Sequence, residues 1–121
     1  MEPTILVADD DAVIADSLVE ILNQQGFSAR AAYGGKEAIR MAQEDCPVIV
    51  LTDVLMPETS GIEVAFAVLA ACAKTRVVLF SGQAGTSELL AEARARGYDF
   101  ELLPKPIHPT VLLRALRSPR R

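Results

Sequence analysis

Short runs of apolar residues alternate along the chain with longer stretches in which apolar residues recur every three or four positions. The short runs have the length and composition of buried parallel strands, and the longer stretches have the one-sided pattern of amphipathic helices. The pattern predicts strands at Ile5–Ala8, Phe27–Ala32, Val48–Thr52, Arg76–Phe80 and Phe100–Leu103. It predicts helices at Val13–Gln25, Lys36–Asp45, Ile62–Ala73, Pro109–Arg117 and, with Thr86 or Ser87 as its cap, up to Gly97.

Strict alternation of strands and helices favours an α/β fold, a three-layer doubly wound sandwich around a five-stranded parallel sheet. In such a sheet, ligands bind at the carboxyl ends of the strands. Four of the predicted strands run into a polar residue there. These residues are two aspartates, a serine and a lysine: Asp9, Asp53, Ser81 and Lys105. We therefore expect carboxylates, a hydroxyl and an ammonium to meet at one edge of the sheet.

Composition sets the class of protein. The chain has 121 residues, of which 50% are hydrophobic, a profile typical of one globular domain. We expect a single domain over 1–121, with its core in 4–117 and a basic tail in 118–121. No apolar stretch approaches the roughly 20 residues of a membrane span, and the amino terminus does not resemble a signal peptide, so we expect a cytoplasmic protein without membrane contact.

The net charge of −4 argues against direct nucleic-acid binding, which needs a basic face. The one basic cluster, at Arg114, Arg117, Arg120 and Arg121, is typical of a solvated helix end. Cys46 and Cys72 stand far apart, with no second cysteine or histidine near either. We expect both to be reduced thiols, with no disulfide and no metal.

Three consecutive aspartates follow the first strand. Asp11 is suited to capping the next helix. An alternative is that Asp9 and Asp10 also serve only to stabilise the start of that helix. Capping accounts poorly for Asp9 and Asp10 together with Asp53 at the matching edge of another strand. Crowded carboxylates raise one another's pKa, and a divalent cation relieves that cost. Mg²⁺ fits best, because it takes oxygen ligands and binds through few carboxylates plus phosphate oxygens.

Asp53 is the candidate nucleophile, since a carboxylate can attack phosphorus and form an acyl phosphate. Lys105 can pair first with this carboxylate and then with a phosphate oxygen, while Ser81 can donate a hydrogen bond to another oxygen. Taken singly, each residue also fits a strand-end turn or a solvated position. His108, the only histidine, fits a surface position at a helix entry.

Four motifs, in this order and at these strand ends, resemble the receiver domain of two-component response regulators over residues 4–117. They are Ile5–Asp11, Leu51–Pro57 with Gly61, Phe80–Gly82, and Lys105–Pro106. The resemblance implies a flavodoxin-like fold with strand order 2-1-3-4-5, and a cis Lys105–Pro106 bond. It also implies specific roles: Asp53 as phosphoacceptor, Ser81 as switch hydroxyl, Lys105 as phosphate partner, and Mg²⁺ held by Asp9, Asp10, Asp53 and the backbone carbonyl of Leu55.

The same resemblance implies partners and a mechanism. The phosphoryl donor would be a sensor histidine kinase, a phosphotransfer protein or a small acyl phosphate. Phosphorylation would pull Ser81 and the flexible loop Gly82–Gly85, and would repack a face formed by the fourth helix, fifth strand and fifth helix, which can also form a homodimer. The protein would be a switch that catalyses only its own phosphorylation and slow dephosphorylation.

The chain departs from the family pattern at two places. Leu102 stands three positions before Lys105, where receivers usually carry an aromatic residue, and Pro104 makes this segment one residue longer. Leu55 and Gln83 flank the path of an attacking water, and an apolar Leu55 predicts a long-lived phosphorylated state.

Two other functions fit part of the pattern. One is a haloacid-dehalogenase-like aspartyl phosphatase, although Leu55 replaces the second aspartate of those enzymes. The other is a degenerate receiver that binds proteins without phosphorylation. A P-loop is excluded because no GxxxxGK[ST] is present, and flavin binding would favour a glycine-rich first loop over three aspartates.

Overall fold

The computed structural model describes residues 3–82 and 86–118. The strands are β1 (Thr4–Ala8), β2 (Ser28–Ala32), β3 (Ile49–Asp53), β4 (Arg76–Ser81) and β5 (Glu101–Pro104). The helices are α1 (Ala12–Gln24), α2 (Gly35–Glu44), α3 (Gly61–Ala71), α4 (Thr86–Ala95) and α5 (Pro109–Arg117). The predicted loop residues 83–85, including Gln83, and tail residues 119–121 lie outside the described part of the chain.

The strands form one parallel sheet in the order β2-β1-β3-β4-β5, so the predicted doubly wound α/β architecture and strand order are confirmed. The predicted ends of the elements shift by one or two residues. Asp53 and Ser81 belong to β3 and β4 rather than following them, and β5 begins at Glu101. Phe27 precedes β2, its side chain buried in the core.

Both faces of the sheet are covered by apolar side chains. On one face α1 and α5 pack against the strands through residues such as Leu18, Leu22, Leu112 and Leu116. On the other face α2 and α3 share one cluster, and α3 and α4 share a second that includes Leu79. Helices on both faces leave the two ends of the strands as the open edges of the sheet.

Local sequence explains where several helices begin. The side chain of Asp11 accepts hydrogen bonds from the backbone N–H groups of Val13 and Ile14, which confirms its predicted capping role. Ser60 caps α3 in the same way. His108 is exposed at the entry to α5, where its Nδ1 accepts from the backbone of Thr110 at 3.3 Å. The Lys105–Pro106 bond is cis, as expected.

The prediction that Cys46 and Cys72 are separate reduced thiols is wrong. The two residues form a disulfide, although they stand 26 positions apart in sequence. The chain between them passes along β3 and returns through α3, so both cysteines come back to the amino-terminal edge of the sheet. The separation of the cysteines in sequence is therefore no guide to their separation in space, because a strand followed by a helix brings the chain back to its starting edge.

Candidate functional site

The acidic residues of two neighbouring strands converge at the carboxyl edge of the sheet. β1 and β3 pair with Ala8 opposite Thr52, which sets Asp9 beside Asp53. Asp9 is 1% exposed and Asp53 is 7% exposed, while Asp10 faces solvent. Each of these three residues contributes a carboxylate oxygen to a group whose members lie within 4.8 Å of one another. Two buried carboxylates and an exposed one thus share a single pocket.

Lys105 joins the two buried carboxylates. Its Nζ donates to Oδ2 of Asp53 at 3.0 Å and to Oδ2 of Asp9 at 3.3 Å. The same ammonium lies 5.0 Å from the centre of the Phe80 ring, a cation–π distance that further fixes its position. The backbone holds the lysine in place as well, because its N–H donates to the carbonyl of Ser81.

Glycine is required beside this lysine. A Cβ on Gly82 would lie 2.8 Å from Cβ of Lys105, so a larger residue would push the lysine stem away from the carboxylates. The sequence indicates Gly82 only as part of a motif and as the start of a loop. The close approach of Gly82 to Lys105 and the contact of the Phe80 ring with the ammonium both depend on the pairing of β4 with β5. The residues next to Gly82 and Phe80 in the sequence do not predict either contact.

Burial and charge pull against each other in this pocket. Desolvation by burial raises the pKa of Asp9 above its ordinary value, and the nearby charge of Asp53 adds to the rise. The backbone N–H of Asp11 and the ammonium of Lys105 offset only part of this effect. Burial alone would lower the pKa of Lys105, but its hydrogen bond to Asp53 and the two negative charges outweigh burial and raise it.

The donor set fits a hard divalent cation. One ammonium faces three carboxylates, so the pocket keeps an excess of negative charge. Carboxylate oxygens that are partly open to solvent suit Mg²⁺, which keeps several waters when bound. The receiver-like acidic pocket of Asp9, Asp10 and Asp53 can therefore bind Mg²⁺.

Ser81 and Leu55 lie at the same edge but make different contacts. Ser81 ends β4 one position after Phe80, the register partner of Asp53, and its side chain is buried. Leu55 follows β3, and its side chain packs against the apolar cluster between α3 and α4. Its backbone carbonyl as a metal ligand stays a prediction.

The structure shows where the aromatic residues near β5 lie. Leu102 pairs in register with Leu79 and is 42% exposed, so an aliphatic side chain takes the expected position of the family aromatic residue. Tyr98 and Phe100 stack at 5.4 Å and pack with Phe66 of α3, before the strand begins. They are directed at α3, toward the amino end of β5, and not at Ser81.

Sequence analysis also missed a buried arginine at the opposite edge. Arg76, at the start of β4, forms two hydrogen bonds with the carboxylate of Glu101 on β5. Its other N–H groups donate to three carbonyls at the end of α5, those of Ala115, Leu116 and Ser118. A charged residue at a strand end gives no sign of such an environment.

Comparison with known proteins agrees with this fold. A family model described as the response regulator receiver domain matches residues 5–117. The response regulator MprA of Mycobacterium bovis is 32% identical over 118 residues, which cover 98% of this chain and 50% of that protein. MprA of Mycobacterium avium is 32% identical over 114 residues, or 94% of this chain and 49% of that protein. The chain thus spans about half the length of the curated relatives it matches.

Solved structures give the same result. Chemotaxis protein CheY4 of Vibrio cholerae superposes with a TM-score of 0.85 at 26% identity, covering 97% of this chain and 98% of that one. A response regulator receiver domain protein from Clostridium thermocellum gives 0.84 at 28% identity, covering 94% and 90%. The fold is the α/β CheY-like flavodoxin fold of two-component signalling modules. The chain belongs to the response regulator receiver domain family, whose members interact with histidine kinases or phosphotransfer proteins.

Between residues 3 and 82 and between 86 and 118, no helix combines the length and the apolar character needed to cross a bilayer.

Proposed function

We propose that this receiver domain is a phosphorylation-dependent switch in which Asp53 accepts a phosphoryl group in a Mg²⁺-dependent reaction. The observation that carries the proposal is the position of Asp53 Oδ2, 3.0 Å from the ammonium of Lys105 and grouped with the carboxylates of Asp9 and Asp10. The donor is a phosphohistidine of a sensor histidine kinase or phosphotransfer protein, and a small acyl phosphate can replace it.

Each group in the pocket has a chemical task. A carboxylate oxygen of Asp53 forms a bond to phosphorus as the bond from phosphorus to the donor nitrogen breaks, and the bonding electrons leave with the imidazole. Lys105 moves from pairing with the carboxylate to pairing with a phosphoryl oxygen. Asp9, Asp10, Asp53 and the carbonyl of Leu55 would hold Mg²⁺, which supplies neutralisation of phosphoryl charge.

The switch follows from the added charge. The acyl phosphate carries several acceptor oxygens, and Ser81 donates a hydrogen bond to one of them. Because the carbonyl of Ser81 accepts from the backbone N–H of Lys105, movement at the end of β4 is transmitted to β5. We propose that α4, β5 and α5 form the face that changes. Leu102 and Val111 on that face are exposed, and a homodimer through it remains a prediction.

The test is phosphorylation by acetyl phosphate, followed by the intact mass of the chain. We expect one added phosphoryl group with Mg²⁺ present and none after chelation by EDTA or in Asp53→Asn. Asp45→Asn is the matched control, since Asp45 is an exposed carboxylate whose weak ion pair with Arg30 lies outside the pocket. No labelling of the natural chain would identify a degenerate binding module, and rapid turnover of many phosphate esters would identify a phosphatase. Either result overturns the proposal.

A further inference from the structure

The disulfide between Cys46 and Cys72 lies at the amino-terminal edge of the sheet, opposite the acidic pocket. Cys46 belongs to the loop between α2 and β3, and Cys72 caps the end of α3. Their Cα atoms are 5.7 Å apart, within the usual range for a disulfide. The bond therefore fastens the end of α3 to the loop that leads into β3, the strand that carries Asp53.

The two sulfurs differ in access to solvent. Cys46 is exposed, whereas Cys72 is 6% exposed. An open cleft of about 470 Å³ runs past both residues and is lined also by Val48 and Lys74. Of the two residues on this cleft, Cys46 is therefore the more accessible to a small thiol or disulfide from solvent.

Position also separates their chemistry. Cys72 stands at the carboxyl end of α3, where the helix dipole disfavours an anion, and burial disfavours a thiolate further. Its Sγ lies 3.4 Å from the carbonyl of Ala42, whereas the Sγ of Cys46 lies 3.9 Å from the carbonyl of Ala71, so the Cys72 thiol formed by reduction has the nearer hydrogen-bond acceptor. Thiolate attack and mixed-disulfide formation are therefore assigned to Cys46.

The disulfide completes a clamp on α3. At the start of the helix, the N–H of Gly61 donates to the carbonyl of Val54 at 2.8 Å, just after β3. At its end, the disulfide ties Cys72 to the loop before β3. The Thr75 hydroxyl donates to the carbonyl of Pro47 at 2.7 Å, and this contact does not depend on the sulfurs. Reduction would therefore loosen the last turn of α3 without unfolding the domain.

We infer that Cys46 and Cys72 form a reversible redox clamp, in which Cys46 exchanges with a low-molecular-weight disulfide and the oxidised pair holds α3 against β3. In oxidation, the Cys46 thiolate attacks a disulfide such as that of glutathione, and one glutathione thiolate leaves. The Cys72 thiol then loses its proton and displaces the second glutathione from Cys46. Two protein thiols are oxidised, one external disulfide is reduced, and two thiols are released. The inference does not depend on the proposed phosphoryl transfer.

The test equilibrates the intact chain with glutathione buffers of graded ratio, blocks free thiols with iodoacetamide and measures intact mass. We expect interconversion between a form with two blocked thiols and a form with none, the latter lighter than the reduced chain by two hydrogen atoms. Single variants identify the exchanging sulfur. Cys72→Ser should gain one glutathione on Cys46, and Cys46→Ser should gain it on Cys72 at least about tenfold more slowly.

Hydrogen exchange measures the clamp itself. Backbone amides in the last turn of α3 and in residues 45–48 should exchange faster in the reduced chain than in the oxidised chain. Amides of α5 serve as an internal reference and should not change. Two blocked thiols at every buffer ratio, equal glutathione uptake by the two single variants, or identical exchange in both redox states would each overturn the inference.

Discussion

Replacing Arg76 with methionine tests whether the buried arginine holds the amino-terminal edge of the sheet together. The Arg76 side chain is 9% exposed and has an ion pair with Glu101, which is 30% exposed. Methionine has a similar length but leaves the Glu101 carboxylate and the three carbonyls at the end of α5 without their donor. The change removes charge and hydrogen bonds while largely keeping the apolar volume of the stem.

The expected cost follows from these contacts. Breaking a buried ion pair by removing one partner costs about 3–5 kcal/mol. Because solvent reaches part of Glu101 and the end of α5 can take up water, we expect the lower limit, about 3 kcal/mol. A domain of this size unfolds with an m-value of about 2 kcal/mol per M in urea, so the midpoint should fall by about 1.5 M. Typical stabilities of about 5–15 kcal/mol leave the variant folded.

Equilibrium unfolding in urea measures this shift. Because the chain has no tryptophan, far-UV circular dichroism is the appropriate probe. Arg40→Met is the matched control, since Arg40 pairs with Glu44 on the exposed surface of α2 and should lose about 0.5 kcal/mol at most. A loss of under about 1 kcal/mol in Arg76→Met would refute the reasoning. Combining Arg76→Met with Glu101→Gln should cost less than the sum of the two single changes.

Three further changes test the pocket and its support. Without added Mg²⁺, the natural chain should lose stability as the pH rises from 3.8 through the raised pKa of Asp9, because the folded state holds that proton more tightly than the unfolded state. Asp9→Asn should not show this loss, and urea midpoints measured across pH test the difference. Gly61→Ala should lose about 2 kcal/mol in the same assay, since a Cβ there would overlap the backbone carbonyl of Asp53. Leu55→Asn should shorten the lifetime of the phosphorylated state by about tenfold, followed by loss of the phosphoryl mass, because a polar side chain admits and orients water.

Each of these changes has a result that counts against it. If the urea midpoints of Asp9→Asn and the natural chain change with pH in the same way, the buried carboxylate of Asp9 is not the cause of the pH dependence. Gly34→Ala is the control for Gly61→Ala, because a Cβ on Gly34 meets no atom within 4 Å. Equal losses in the two glycine variants would contradict the steric argument. No acceleration of dephosphorylation in Leu55→Asn would discard the role of Leu55 in excluding water.

The fold and the convergence of the acidic residues were predictable because both depend on local patterns. The three central strands β1, β3 and β4 are mainly apolar runs. The carboxyl ends of parallel strands meet at one edge, so Asp9, Asp53 and Lys105 had to lie near one another. The roles of these residues remain predictions. Contacts at the opposite edge were not predictable in the same way, since they join elements distant in sequence.

Arg76 and the cysteines show what the sequence lacks. Arg76 has the pattern of an exposed strand end, and its partners come from β5, 25 residues later, and from α5, about 40 residues later. The disulfide needs the return of the chain through α3, which spacing alone does not reveal. The exposure of Leu102 depends on β5 lying at the margin of the sheet, which the strand's own sequence does not reveal.

The composition of β5 has a consequence for how this sheet meets other chains. The N–H of Lys105 is directed inward to β4, so by alternation the outward positions on β5 are Leu102 and Pro104, and proline has no N–H to offer. Within this short outer strand, Leu102 alone can donate to a strand added from outside. Propagation of the sheet into an aggregate is therefore opposed at this margin, and a protein that docks there must be recognised through side chains instead of main-chain pairing.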